Sequence, residues 1–200
     1  MKTKTKALGL MMAAVLLVTA TIFGTMAYLT STDEVTNTFT VGSVAITMDE
    51  APVGTDGKEI SGDRVKANSY KLMPGHVYDK DPIVHFQPKS EASWLFIEVT
   101  NEIADIESKA NDYKSIATQI TDNGWTALDG VTGVYYKSVP ANTGDAAVDY
   151  PVFQGFTVDG SVNGTTLDNY NNKTVKVTAY AVQADGFDSA TAAWTTGLGK

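Results

Sequence analysis

Short apolar runs, each followed by turn residues, dominate the chain from residue 38 onward. The runs are rich in β-branched and aromatic residues, and Gly, Pro, Asn and Asp separate them, which is typical of strands joined by turns. The predicted strands are Thr38–Val41, Val44–Met48, Ile83–Phe86, Trp94–Thr100, Val134–Val139, Val152–Val158 and Thr174–Gln183. This pattern predicts an all-β fold, in the form of an antiparallel β-sandwich with one or two inserted helices.

The run around Trp94 also predicts which side chains share a face of the sheet. Successive residues of a strand point to opposite faces. Trp94, Phe96 and Glu98 therefore share one face, whereas Leu95, Ile97 and Val99 share the other.

One stretch has the spacing of a helix rather than of a strand. Apolar residues recur every three or four positions from Ile103 to Ile120, and Asn123-Gly124 follows them. This spacing predicts an amphipathic helix near 103–122. A second, shorter helix is predicted over 188–195, and the aperiodic stretch 51–68 is predicted to be an exposed loop.

The N-terminus has the pattern of a cleavable secretion signal. Three lysines within the first six residues precede an apolar run that extends to Ala27. Thr25 and Ala27 supply the small residues at positions −3 and −1 of a signal-peptidase site, so Tyr28 is the predicted mature N-terminus. An uncleaved membrane anchor is the alternative, because about 20 apolar residues can span a bilayer.

The charge and the absence of cysteine exclude several functions. Cleavage after residue 27 removes three of 15 basic residues and leaves 12 against 23 acidic residues, a net charge of −11. Nucleic acid and anionic lipid both require clustered cations, so neither is an expected partner. With no cysteine, the chain cannot form a disulfide, a thiolate metal site or a thiol nucleophile.

The sequence carries little sign of catalytic chemistry. It lacks the His-Glu-x-x-His motif of zinc peptidases and the Gly-x-Ser-x-Gly motif of serine hydrolases. Its two histidines, His76 and His85, lie on either side of Pro82 in an extended segment. A looser metal site could combine His76 with Asp79 or Asp81, but a polar histidine beside a turn is the simpler interpretation.

A structural calcium ion is an open alternative to a chain without cofactors. The stretch from Asp159 to Gly164 has the first oxygen donors of an EF-hand loop, but position twelve is Tyr170, so a turn explains it better. A site built from loops would need carboxylates that converge in space. The candidates are Asp49, Glu50, Asp79, Asp81, Asp145 and Asp149.

Several motifs, in the right order, resemble those of the TasA/camelysin family. The most specific is the N-terminal stretch 24–33, which is followed by Val35-Thr36-Asn37-Thr38-Phe39-Thr40-Val41-Gly42. Looser matches are Leu72-Met73-Pro74-Gly75, Lys80-Asp81-Pro82, the strand 94–101, the region of Trp125 and Tyr135-Tyr136, and the stretch 179–187. The resemblance implies a jelly-roll-like sandwich, processing by a dedicated signal peptidase, and assembly into extracellular biofilm fibres. Some members are labelled metallopeptidases.

Together, these observations predict a secreted structural subunit of an extracellular matrix or cell-surface fibre, with no catalytic residues. The predicted organisation is a signal peptide at 1–27, a donor strand at 28–43, and a sandwich domain at 44–200. The donor strand carries Tyr28, Val35, Phe39 and Val41, and pairs with another copy of the chain. The expected partners are other copies and a signal peptidase, with no stable membrane association after cleavage. A secreted metal-dependent endopeptidase and a monomeric surface binding domain are the alternatives.

Overall fold

The computed structural model describes residue 6 and residues 8–17, 42–108 and 113–200. The chain divides into two compact units, Met1–Thr40 and Val41–Lys200. In the first unit, residues 8–17 form helix α1, whose large apolar side chains are exposed. No helix among the described residues is long and apolar enough to cross a membrane.

The described part of the second unit is built mainly of antiparallel strands. Its strands are β1 (Ile46–Asp49), β2 (Val77–Asp79), β3 (Ile83–Phe86), β4 (Ser93–Asn101), β5 (Thr126–Ala127), β6 (Val134–Val139), β7 (Val148–Pro151), β8 (Gly155–Thr157) and β9 (Val175–Gln183). They form three sheets in the orders β1-β3-β7, β2-β8 and β5-β6-β4-β9. The predicted β-rich class and antiparallel pairing are confirmed.

Short helical segments connect the strands. They are a 3-10 turn (Ala104–Ile106), α2 (Ile116–Asp122), α3 (Gly164–Asp168) and α4 (Ala190–Ala192), which continues as a π-helical turn over Ala193–Gly197. The side chain of Ser115 caps α2, that of Asn163 caps α3, and that of Ser189 caps α4. Each cap satisfies a backbone N–H that would otherwise lack a partner in the first helical turn.

The four-stranded sheet is covered on both faces. Leu95 and Ile97 belong to the main core, and Phe96 belongs to a second apolar cluster on the opposite face. The C-terminal helical segment supplies Trp194 to this second cluster, where its ring lies 5.2 Å from that of Phe96 and 5.6 Å from that of Tyr180. The aromatic contacts and the burial of Trp194 hold the C-terminal segment on the sheet.

Of the predicted strand Val152–Val158, only Gly155–Thr157 forms a strand, because the chain changes partners between Pro151 and Gly155. Strand β7 pairs with β3, and β8 pairs with β2. Between them Val152 and Phe153 are fully buried, and the N–H of Gln154 donates to Oε1 of Gln119 at 3.0 Å. A side chain therefore replaces the strand partner at this point, which breaks the ladder while keeping the apolar residues in the core.

The predicted helix over 103–122 is wrong in its extent. Of the described residues in this range, only Ala104–Ile106 and Ile116–Asp122 are helical. Glu107 is extended and forms an isolated antiparallel bridge with Val158. Its carboxylate accepts from Nδ2 of Asn101 at 2.7 Å and from the N–H of Ile116 at 3.2 Å. The bridge to Val158 and these two bonds outweigh the local preference for a continuous helix.

The predicted loop over 51–68 is an ordered excursion that folds back on the sheet. Glu50 and Val65 form a bridge at its base, and Val53 and Glu59 form a second bridge within it. The amide of Asn68 donates to the carboxylate of Glu50 and to the carbonyl of Ala51. The loop is therefore fixed at its base by polar contacts rather than by an apolar face.

Candidate functional site

One edge of the four-stranded sheet is long and open within the described part of the chain. Strand β9 is nine residues long and lies at the end of the order β5-β6-β4-β9. No described residue pairs with its outer side. An unpaired edge presents a row of backbone N–H and C=O groups that can pair with another strand.

The register of β4 and β9 identifies the backbone groups that face outward. The N–H of Glu102 donates to the carbonyl of Thr174 at 3.0 Å, and the N–H of Ala184 donates to that of Ala92 at 2.7 Å. Hydrogen-bonded pairs alternate in an antiparallel ladder, so the even-numbered residues of β9 bond to β4. The odd-numbered residues then turn their backbone groups to the open edge: Val175, Val177, Ala179, Ala181 and Gln183.

The other described edges are shorter or obstructed. Strand β5 has two residues, and β7 ends at Pro151, which has no N–H to donate. Strands β2 and β8 have three residues each. On the outer side of β1, the ammonium of Lys66 donates to the carbonyl of Met48. Among the described strands, β9 therefore offers the longest free ladder.

A groove opens beside the start of this edge. It has a volume of about 1020 Å³, and Val175, Lys176 and Val177 of β9 line it together with residues 48–50 at the end of β1. Its lining also includes the segments 66–72 and 170–174 and the buried side chains of Ile103 and Phe156. We call this feature the β1–β9 groove. Its size is that of a site that receives a peptide or a small ligand.

A buried ion pair forms part of the groove wall. The ammonium of Lys80 binds the carboxylate of Glu50, and the two side chains are only 11% and 6% exposed. Nδ2 of Asn68 donates to the second oxygen of Glu50 at 3.0 Å. The hydroxyl of Tyr70 donates to the carbonyl of Asp79, and burial together with the nearby charge of Glu50 raises the pKa of Tyr70. The polar groups of this wall therefore have their hydrogen-bonding and ionic partners within the protein.

Lysines are concentrated at this groove although the chain as a whole is acidic. Five of the 12 basic residues that follow the signal region line it: Lys66, Lys71, Lys80, Lys173 and Lys176. They come from three separated stretches of the chain, so no local sequence motif indicates that they cluster. Sequence reasoning missed this set because only the fold brings the stretches together.

The structure does not bring the predicted metal candidates together. His76 is exposed, and its ring lies 6.4 Å from that of Tyr78. The carboxylate of Asp79 binds Lys58 and accepts from the N–H of Glu59 at 3.0 Å, while Asp81 binds Arg64. Within the described ranges, no group of three or more His, Cys, Asp or Glu side chains is placed to hold a metal ion.

Five of the six carboxylates proposed for calcium lie against a lysine or arginine, and the sixth, Asp149, contacts His85. Asp79 and Asp81 pair as just described, and Glu50 pairs with Lys80. Asp145 lies 2.8 Å from the ammonium of Lys89, and Asp49 and Asp149 both contact His85. Their charges are therefore partly neutralised within the protein, and the structural calcium stays a prediction.

His85 joins three elements in a way that the sequence did not indicate. Its Nδ1 lies 2.6 Å from Oδ1 of Asp149 on β7, and its Nε2 lies 3.0 Å from Oδ1 of Asp49 on β1. Arg64 binds both Asp49 and Asp81, which ties the loop to the same network. Burial lowers the pKa of His85, but the two carboxylates outweigh this effect and raise it.

The residues predicted for processing and strand donation lie outside the described residues. They are Thr25 and Ala27 of the cleavage site, and Tyr28, Val35, Phe39 and Val41 of the donor strand. The described second unit starts at Gly42, directly after this segment. Strand donation and signal cleavage stay predictions.

Comparison with known proteins adds no relative. No family model matches the sequence, and neither a curated protein nor a solved structure matches it. The resemblance to the TasA/camelysin family therefore rests on the sequence motifs alone.

Proposed function

We propose that this protein is a secreted structural subunit of an extracellular matrix or cell-surface fibre, and that its subunits assemble by strand donation. In this proposal the antiparallel sheets form a jelly-roll-like sandwich with an open edge at β9. The segment from Tyr28 to about Thr40 leaves its own domain and pairs with the sheet of a neighbouring subunit. The protein has no catalytic role.

The open edge of β9 is the observation that carries this proposal. It supplies outward N–H and C=O groups over nine residues, and the β1–β9 groove lies beside its first three residues. Strand addition at such an edge is a common mode of peptide recognition, in which the ladder gives affinity and adjacent pockets give specificity. The second compact unit begins at Val41, so the proposed donor segment lies outside it.

Head-to-tail donation explains why the product is a fibre. Donor and acceptor are different surfaces of the same chain, so each contact leaves one free donor and one free acceptor. Such heterologous contacts propagate into filaments unless a rotation closes them into a ring. Each added subunit also covers the exposed edge of the previous one.

The charge and the N-terminus support an extracellular setting. Three lysines precede the apolar run, and within it residues 8–17 are helical, as in the hydrophobic region of a secretion signal. The net charge of −11 after cleavage limits non-specific association of subunits before assembly. Other copies of the chain are the proposed partners.

Truncation of the donor segment tests this function. The mature chain 28–200 and a truncated chain starting at Val41 are purified and compared by electron microscopy, light scattering and circular dichroism. We expect fibres from the mature chain and a folded monomer from the truncated one. A mature chain 28–200 carrying Phe39→Asp is the matched control. It keeps the length of the donor segment but places a charge on its predicted strand, so it should also fail to form fibres.

The outcomes separate the alternatives. Fibres of normal appearance from the truncated chain would overturn strand donation. A mature chain that stays monomeric under all assembly conditions would favour a surface binding domain. Cleavage of casein that a chelator abolishes would favour a metal-dependent endopeptidase.

A further inference from the structure

The β1–β9 groove has unbalanced positive charge. Among its five lysines, Lys80 is paired with Glu50, and Lys173 is paired with Glu102 at 3.2 Å. Lys66 contacts the carbonyl oxygen of Met48 and has no carboxylate partner in the described part of the chain. Lys71 and Lys176 have no ionic partner among the described residues.

The negative charges in the lining do not cancel these lysines. Asp49 is held by Arg64 and His85, and Glu50 is held by Lys80. Asp168 is the remaining acidic residue of the lining. Three uncompensated lysines against one carboxylate make the groove locally basic on an acidic protein, and such a site favours an acidic occupant.

The backbone beside the groove indicates that this occupant is a peptide. Val175 and Val177 turn their N–H and C=O groups away from β4, on the stretch of β9 that lines the groove. An extended peptide can pair with these groups, whereas a polysaccharide has no matching row of amides. A peptide with acidic residues at one end can form backbone hydrogen bonds with β9 and ion pairs with the lysines of the groove.

The segment before the second unit has this composition. Between Lys6 and Lys58 the chain contains no basic residue, and the stretch 28–41 carries Asp33-Glu34. Beyond this acidic pair, Val35, Asn37, Phe39 and Val41 fall on one face of an extended chain, and the threonines at 36, 38 and 40 fall on the other. This is the pattern of a strand with one mainly apolar face.

Building on the proposed function, we propose that the groove binds the Asp33-Glu34 end of a neighbouring subunit's segment, and that the segment then runs parallel to β9. The lysines lie at the start of β9, so the acidic pair must lie there too. The end of β9 is a poor site for it, because Ala184 pairs there with Ala92, and the acidic residues Asp185 and Glu91 are their direct neighbours in sequence. The charges thus select one of the two possible strand directions.

Directed cross-linking tests this direction, and the absence of native cysteine makes it specific. Mature chain carrying Glu34→Cys is mixed with chain carrying either Lys176→Cys or Gln183→Cys. Assembly is followed by a short bismaleimide and by mass spectrometry of the linked peptides. We expect the Glu34 peptide to link to the Lys176 peptide of another chain. Linkage to the Gln183 peptide in normal fibres would overturn the direction while leaving strand donation intact.

Charge reversal tests the role of the lysines independently. A synthetic peptide spanning 28–41 is titrated into the mature chain 28–200 carrying Phe39→Asp, whose own donor segment is disabled, and its binding is measured by fluorescence anisotropy. Combined Lys71→Glu and Lys176→Glu substitutions should weaken binding about tenfold, equivalent to about 1.4 kcal/mol. A peptide with Asp33→Lys and Glu34→Lys should recover that loss. The combination of Lys89→Glu and Lys114→Glu outside the groove is the matched control and should change binding little.

Each result of the titration is decisive. If the control variant with Lys89→Glu and Lys114→Glu loses as much peptide affinity as the groove variant, net charge rather than the groove governs binding. That result would overturn the proposal. Unchanged binding in the groove variant would do the same. If neither the peptide binds nor the mature chain forms fibres, the proposed function itself fails.

Discussion

His85 shows how one side chain acquires a role from its neighbours. In sequence it is an isolated histidine, and its neighbours along the chain do not indicate a charge network. In the fold it lies between Asp49 and Asp149, which belong to the strands on either side of β3. Pairing across the sheet, rather than distance along the chain, created this contact.

This environment predicts a pH-dependent contribution to stability. The folded pKa of His85 is raised above 6.5, so its contribution is present below about pH 6.5 and is lost as the pH rises through the folded value. The pKa of Asp49 is lowered below 3.8: burial opposes this shift, but His85 and Arg64 outweigh it. The contribution of Asp49 is lost only as the pH falls through that lower value. His85→Gln should therefore destabilise the protein at about pH 5.5 and much less at about pH 8.5.

Urea unfolding at the two pH values measures this difference. His76→Gln is the matched control, because His76 is exposed and has no ionic partner among the described residues. An equal loss of stability at both pH values for His85→Gln would contradict the role of its charge.

At the scale of elements, long-range contacts changed what local patterns predict. The apolar spacing from Ile103 to Ile120 is helical, yet Glu107 between them pairs with Val158 and breaks the helix. Ile103, Ile106, Ile116 and Ile120 are nevertheless all buried in the main core. The pattern identified these four buried residues correctly, but Ala117 of the same pattern is exposed, and the backbone path is not the predicted helix.

The loop over 51–68 depends on one close approach. Gly57 has φ of +73°, and a Cβ there would lie 2.3 Å from Cδ1 of Tyr78, whose side chain is fully buried. Gly57→Ala should cost about 2–4 kcal/mol, from left-handed strain plus overpacking. Gly130→Ala is the control, because its φ is +75° but nothing lies within 4 Å of the added Cβ.

Chemical denaturation of both variants separates the two effects. The loss for Gly130→Ala measures left-handed strain alone, at about 1–2 kcal/mol. If the two variants lose the same stability, the contact with Tyr78 does not hold the loop in place.

At the scale of the whole molecule, the lysines of the β1–β9 groove come from residues 66–80 and 173–176, more than 90 positions apart at their closest. Spread along the sequence they resemble ordinary surface charges. The sheet and the loops that follow β1 bring them to one groove next to an open edge. The negative net charge of the chain does not indicate that this groove is locally positive.

Assembly of whole subunits also depends on how the N-terminus is processed. The assembly proposal requires a free segment that begins at Tyr28. Mass spectrometry of the exported protein should therefore find a chain starting at Tyr28, because Thr25 and Ala27 provide small residues at the −3 and −1 positions. Exported protein that retains Met1 would instead indicate an uncleaved anchor.

The sequence by itself determined the β-rich class, the assignment of β4 side chains to its two faces and the bounds of β3 and β6. These depend on short β-branched and aromatic runs bounded by turn residues, which one strand displays without its neighbours. Only the tertiary structure decided that β9 ends a sheet, that lysines gather beside it and that His85 links two aspartates. Strand order, and with it which distant segments become neighbours, depends on which strands pair. The periodicity of residues within one strand fixes which side chains share a face, but it does not identify the strand that pairs with it.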